Sequence, residues 1–348
     1  MAGIRTAVIG AGRMGAIHAK VCNELPQYRL VAVVDKDGDR AVTVAGRYNC
    51  RALTDSRQLL GGDGEEPIVD AVTIATPTVT HLDLTAMFIK SGVAVLVEKP
   101  LASSVREGKK IVSLSRKTGV MVAVGHSERC NPVVQAVKRL DIEPRFIQAD
   151  RVSPYPFRST DVGVVLDVMI HDIDIILSLA GGSVRRVDAV GVNVIDEKED
   201  ICNARLIFDN GCIASITASR LALKTERKVR LFSRQAYLSL DYLKKSGIVI
   251  KASPNVDVIK WIRQRREKAD FNPLTVSWPD LLHIEQLVID DKEPLRLEQE
   301  AFLRAVTDRS FKPEVSAEEG LAAMKCAEKI LDAVRRRPWK EMAEVKGQ

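Results

Sequence analysis

Several kinds of segment are missing from this chain, and each absence narrows what the protein can be. No apolar run reaches the ~18 residues that a bilayer-spanning helix needs, so the sequence predicts no membrane anchor. The opening MAGIRTAVIGAGRMG passes directly into an apolar strand pattern, without a basic stretch and a long apolar core, so no secretory leader is expected. The six cysteines, Cys22, Cys50, Cys130, Cys202, Cys212 and Cys326, include no C-x-x-C pair, which suits reduced thiols in a cytoplasm. No set of His, Cys, Asp and Glu has metal-ligand spacing, and no metal is expected. The basic excess is only +6. Its densest runs, residues 262–268 (IRQRREK) and 335–340 (RRRPWK), do not interleave aromatics with cations as single-strand nucleic-acid binders do, so solvated helix faces are the expectation. Internal repeats and low-complexity linkers are absent as well.

What is present is a globular composition, 46% hydrophobic and 28% charged over 348 residues, long enough for about two domains. The first 126 residues alternate Val- and Ile-rich runs (Ile4 to Ile9, Leu30 to Asp35, Ala71 to Ala75, Val93 to Val97, Val120 to Val124) with helical patterns near 14–25, 38–48, 80–90 and 104–118. Strands apolar on successive positions belong in a parallel sheet covered on both faces, which predicts a doubly wound α/β domain over residues 1–126. From residue 127 to 348 the pattern changes. Period-2 runs at 145–152, 186–195, 201–208, 212–220, 227–232, 236–240 and 247–251 predict an α+β domain with a mainly antiparallel sheet. Helices follow at Leu295 to Thr307 and Ser316 to Arg336, the second with Ser316 as N-cap and Glu319 three positions on. Asn210-Gly211 reads as a two-residue hairpin turn, which sets Cys202 opposite Ser219 and excludes a Cys202–Cys212 disulfide.

The first βα turn, AVIGAGRMGAIHA, carries Gly10, Gly12 and Gly15 as G-x-G-x-x-G between a strand and a helix, and Asp35 ends the next strand. That full context, rather than the bare glycines, points to a dinucleotide. Gly10 permits the tight turn, Gly12 a close approach to the pyrophosphate and Gly15 close packing of the helix, whose N-terminus faces the phosphates. Ala11, Arg13 and Met14 complete the loop. Asp35 would accept from the adenosine ribose hydroxyls and repel a 2′-phosphate, favouring NAD over NADP, although Lys36 beside it blunts that preference. A flavin shares the fingerprint.

Ligands in open α/β sheets sit beyond the carboxyl ends of the strands. Those ends read ATPTVTH (75–81), VEKPL (97–101) and VGHSERCNP (124–132). Further on, GVVLDVMIHDIDIIL (163–177) is long enough for four helical turns and apolar almost all round, yet it carries Asp167, His171, Asp172 and Asp174. At about 100° per residue, Asp167, His171 and Asp174 form one stripe, with Asp172 off it. Buried carboxylates without partners are costly, so the stripe faces a partner structure or a ligand.

Taken singly, these groups have plain explanations. A Lys-Pro after a strand is commonly a solvated turn, a helical His beside Asp is often just paired, and His81 and His126 could simply satisfy backbone carbonyls. His18 and His283 read as structural. Their joint occurrence in order is different. G-x-G-x-x-G, the strand-ending Asp, ATPTVTH, EKPLA, GHSERCNP and D-x-x-x-H, spread over about the first 180 residues, resemble the Gfo/Idh/MocA oxidoreductases.

The resemblance implies a catalytic set of Lys99, Asp167 and His171. It places Thr76, Pro77, His81, Glu98 and Lys99 along the cofactor, and His126, Arg129 and Asn131 with Asp167 and His171 near the substrate. In chemical terms, the Lys99 ammonium could stabilise charge developing on an alcohol oxygen. An imidazole at His171 could take the hydroxyl proton as hydride leaves the same carbon for nicotinamide. Asp167 could hold that imidazole or bind a neighbouring sugar hydroxyl, while Asp174 orients it. GHSERCNP with DVMIHDIDIILSL is similar to the subgroup that oxidises the 3-hydroxyl of UDP-N-acetylglucosamine. Cys130 departs from it where an aromatic is expected, and Met169 replaces the small Gly of the wider family. The implied activity is NAD-dependent oxidation of a secondary hydroxyl on a sugar or nucleotide sugar. A polyol or inositol dehydrogenase, a carbonyl or imine reductase, a glycosidase that regains its NADH and a non-catalytic NAD sensor remain alternatives. An antiparallel sheet exposed on one face predicts a homodimer or homotetramer.

Overall fold

The computed structural model describes residues 3–61, 66–156, 162–252, 264 and 282–337. The chain forms two compact units, one of Met1–Asn131 with Lys292–Glu328, the other of Pro132–Asp291 with Lys329–Gln348.

In the first unit the order is β1 (Ile4–Ile9), α1 (Arg13–Glu24), β2 (Tyr28–Val34), α2 (Gly38–Gly46), β3 (Arg51–Leu53), β4 (Ala71–Ile74), α3 (His81–Lys90), β5 (Ala94–Glu98), α4 (Val105–Thr118) and β6 (Val122–Gly125). The strands pair in the order β3-β2-β1-β4-β5-β6, all parallel. This is the doubly wound sheet expected from the Val/Ile runs, and β4 and β6 are buried at every position because helices cover both faces. Chain order reverses beside β1, and the crevice beyond that point is where such folds bind nucleotides. Helix α4 has the punctuation its sequence announces. Ser104 accepts from the Glu107 N–H at 3.2 Å, and Gly119 closes the helix at φ +70°.

The second unit holds α5 (Pro132–Lys138), β7 (Phe146–Val152), a π-turn (Val165–Met169), α6 (Ile170–Ala180), β8 (Val184–Val192), β9 (Ile201–Phe208), β10 (Ile213–Ser219), β11 (Glu226–Phe232), β12 (Ala236–Asp241), β13 (Ser246–Ala252) and β14 (Leu282–Gln286). Among the described residues its eight strands run β14-β13-β12-β11-β7-β10-β9-β8, antiparallel except for the parallel pair β7 and β10. Alternate residues of β7 and β10 are buried, and α6 packs on those two strands.

Two motifs of the second unit differ from the sequence reading. The β9–β10 hairpin is one residue out of the expected register: Cys202 pairs with Ala218, not Ser219. The loop has three residues, closed by Phe208 N–H to the Cys212 carbonyl at 2.9 Å, with Gly211 at φ +83°. A type I turn followed by a left-handed glycine gives that loop length, whereas a two-residue turn needs left-handed backbone at both central positions. The segment 163–177 is also not one uniform α-helix, because it opens with the i→i+5 winding of the π-turn.

Two helices close the described chain, α7 (Pro294–Thr307) and α8 (Ala317–Arg336). Helix α7 and Ala317–Glu328 of α8 belong to the first unit, where Leu295, Phe302, Leu303 and Leu321 join its core. The expected box at the start of α8 is present, with Ser316 N–H donating to Glu319 at 2.9 Å and Glu319 N–H to Ser316 Oγ at 3.3 Å. The basic runs at 262–268 and 338–340 lie outside the described residues apart from Gln264, while Arg335 and Arg336 are exposed on α8.

Candidate active site

The turn from β1 to α1 is shaped by three different demands. Gly10 sits at φ +98°, and a Cβ there would fall 2.5 Å from the Ala75 carbonyl oxygen. At Gly15 a Cβ would lie 1.7 Å from the Gly10 carbonyl oxygen, so helix and strand can approach only without a side chain. At Gly12 a Cβ would meet nothing within 4 Å. The protein's own packing therefore does not require Gly12, but an occupant of that space would. No side chain caps α1, whose first turn borders a cleft lined by Ala11, Gly12, Arg13, Asp37, Arg40 and Arg47. An open helix N-terminus behind an empty Gly12 position fits a pyrophosphate. Arg13 and Met14 are exposed at this mouth.

Asp35 braces the loop from the end of β2. One carboxylate oxygen accepts the Ala11 N–H at 2.6 Å and the other the Asp37 N–H at 2.9 Å. Each oxygen has a second lone pair, so the carboxylate can serve ribose hydroxyls from the same position. Lys36 points into solvent.

After β4, Thr76 Oγ1 and Thr80 Oγ1 lie 2.7 Å apart, beside Pro77. His81, 1% exposed, has Nδ1 2.9 Å from the Pro100 carbonyl oxygen and Nε2 3.0 Å from the Thr76 carbonyl oxygen. Burial holds its imidazole below the ordinary pKa, although both carbonyls pull the other way. A neutral ring has one N–H, so it donates to one of these two carbonyls and packs against the other, between the loops after β4 and β5.

Glu98 ends β5 and Lys99 follows it, and a cis peptide joins Lys99 to Pro100. The Glu98 side chain is 13% exposed, with Oε1 2.8 Å from His18 Nε2 and Oε2 accepting the Lys99 N–H at 3.1 Å. A Cβ on Gly125 of β6 would lie 3.2 Å from Glu98 Oε2, so that glycine makes the seat for the carboxylate. Burial alone would raise the Glu98 carboxyl. The His18 hydrogen bond and the nearby Lys99 charge outweigh it and hold the group below the usual range. His18, read from sequence as merely structural, therefore belongs to this constellation. Its position three residues after Gly15, on the same face of α1, is the signal that could have found it.

Beyond β6, His126, Arg129 and Asn131 are 1%, 3% and 3% exposed. The Arg129 guanidinium donates to Glu319 at 3.1 Å, at the first turn of α8. Burial would raise the Glu319 carboxyl, but Ser316 and Arg129 hold it below its usual range.

In the second unit Asp167 and His171 are half-buried, one on the π-turn and one on α6. Glu199 sets the start of that winding. Its carbonyl accepts the Val164 N–H at 2.9 Å and its carboxylate the Val165 N–H at 3.2 Å. Sequence reasoning missed Glu199, because a lone acid in a loop carries no periodic signal. Asp172, off the stripe as expected, is buried and held bidentately by Arg151 at 2.8 and 2.9 Å. Asp174 is 1% exposed. Fully buried Arg220 joins Asp200 at 2.7 Å and Asp196 at 2.8 Å, and Asp200 also takes the Val194 and Ile195 N–H groups at 2.8 and 2.7 Å. That hub fixes the loop carrying Glu199.

The Rossmann-type first unit thus gathers the glycine turn, Asp35, Thr76, Pro77, His81, Glu98 and Lys99 at one edge of one sheet. Residues 4–126 match the model of the Gfo/Idh/MocA oxidoreductases with an NAD-binding Rossmann fold, and residues 143–239 match that family's C-terminal domain.

The chain belongs to the Gfo/Idh/MocA family.

As a member, it is an oxidoreductase with NAD as its cofactor. It is 35% identical over 241 residues to the UDP-N-acetylglucosamine 3-dehydrogenase of Acidithiobacillus ferrooxidans, covering 69% of this chain and 74% of that one. The solved structure of that enzyme superposes with a TM-score of 0.82 at 29% identity, covering 97% of this chain and 99% of that one. An inositol 2-dehydrogenase of Rhizobium meliloti is 32% identical over 206 residues, 56% of this chain and 60% of that one. Among the described residues, no group of three or more His, Cys, Asp or Glu is placed to hold a metal ion, and no helix is long and apolar enough to cross a membrane.

Proposed function

We propose that this Gfo/Idh/MocA protein oxidises a secondary hydroxyl of a nucleotide sugar, with the 3-hydroxyl of UDP-N-acetylglucosamine as the first candidate. The observation that carries the substrate class is its likeness to the Acidithiobacillus 3-dehydrogenase along nearly the whole chain. When bound, the nicotinamide supplies the hydride acceptor. On this reading His171 takes the hydroxyl proton, Lys99 stabilises negative charge on the substrate oxygen, and Asp167 orients the imidazole or a neighbouring hydroxyl. Asp35 holds the adenosine ribose, while His126, Arg129 and Asn131 shape the substrate end. Purified protein with NAD and a panel of UDP-sugars and polyols should form NADH fastest with UDP-N-acetylglucosamine. Lys99→Ala and His171→Ala should each lower turnover by about 10²- to 10⁴-fold, and unchanged turnover in both would sink the assignment.

The inositol dehydrogenase relative motivates a second reading, a polyol dehydrogenase, which the same panel separates. NAD binding without turnover on any sugar would instead favour a sensor. We also take the protein to be cytoplasmic and a homodimer or homotetramer, the period-2 strands of the second unit leaving one sheet face for a second copy. Light scattering that gives a monomer mass at micromolar concentration would refute the assembly.

A further inference from the structure

Behind Glu98 lies a polar chain that the proposed chemistry does not use. Gln299, on α7, is fully buried, as is His18, and Thr73 is 1% exposed. The Gln299 amide N–H donates to His18 Nδ1 at 2.9 Å and to Thr73 Oγ1 at 3.2 Å, while its carbonyl accepts the Tyr28 O–H at 3.0 Å. A ring nitrogen that accepts cannot also carry a proton, so the ring proton of His18 is on Nε2 and points at Glu98, 2.8 Å away. With the other neutral tautomer, the Nε2 lone pair would face a carboxylate oxygen and Glu98 would lose a buried donor.

We propose that Gln299 is a positioning residue: it selects the Nε2–H tautomer of His18, which pins the Glu98 carboxylate that in turn anchors the Lys99 main chain. This inference rests on reading Lys99 as the group that acts on the substrate oxygen. It ties that residue to α1, the helix behind the pyrophosphate loop, and to α7 from much later in the chain. Without the Gln299 donor, both tautomers of His18 become accessible, Glu98 is released for part of the time, and Lys99 shifts.

The test uses full-length protein with ¹⁵N-labelled histidine and long-range ¹⁵N–¹H correlation NMR near neutral pH. The chain has only five histidines, and His18→Asn identifies the signal. Wild type should show His18 as a single Nε2–H neutral ring; an Nδ1–H ring or an imidazolium overturns the proposal without any variant. Gln299→Met, of similar shape, should give mixed tautomers and lower kcat by up to about 100-fold, with NAD affinity held within about twofold. Unchanged kcat in Gln299→Met overturns the proposal if Lys99→Met is inactive. Turnover retained in Lys99→Met overturns the reading beneath it, and is recognisable because the His18 signal stays as in wild type.

Discussion

Gly12, the N-cap of α1, and Gly15, in its first turn, stand three residues apart and answer to different constraints. A methyl at Gly15 collides with backbone, so Gly15→Ala should cost about 1–3 kcal/mol or more in denaturant unfolding. A methyl at Gly12 meets open space. Gly12→Ala should keep stability within about 1 kcal/mol while weakening NAD binding at least about tenfold by titration. His81 sets a pH dependence. Its folded pKa lies below the ordinary 6.5, so on acidification the unfolded chain takes the proton first. The stability contributed by the neutral ring is fully present above about pH 6.5 and is lost as the pH falls through that value toward the depressed one. Denaturation midpoints at about pH 7 and about pH 5 should differ more for wild type than for His81→Gln. Burial pushes the thiols of Cys22 and Cys202 up to about 12, so both should resist alkylation in the folded protein, as read by mass spectrometry.

At the scale of elements, what the sequence could tell depended on how local the cause was. The glycine turn, Asp35, the capping box at Ser316 and the main strands were legible, because each is written within a few residues. Strand β3 was not, having only three residues at a sheet edge, nor was β14, whose five residues LHIEQ are short and largely exposed. The π-turn was hidden as well. Its start is capped by Glu199, more than thirty residues downstream, and helical periodicity carries no signal of such a partner. The same holds for Gln299, invisible beside the motif it supports. Elements fastened by buried ion pairs should be sensitive to losing one member. Arg220→Met, which strands Asp200, should cost about 3–5 kcal/mol in urea unfolding, and Arg151→Met, which strands Asp172, a similar amount.

For the whole molecule, ligand linkage is the simplest probe. NAD at about a hundred times its Kd should stabilise the protein by ~2.7 kcal/mol, and Gly12→Ala at the same concentration should show about half of that shift or less. The division into units also has a consequence in time. The first unit takes its six strands from the beginning of the chain, but Phe302, Leu303 and Gln299, which close its core, are encoded far later. His18 must wait 281 residues for Gln299, roughly 15 to 60 s of translation. During that interval the nascent sheet has no α7 over Leu96 and Ala123. Expression of residues 1–131 alone should therefore yield aggregate, and the growing chain should be a client of ribosome-associated chaperones until its second half emerges.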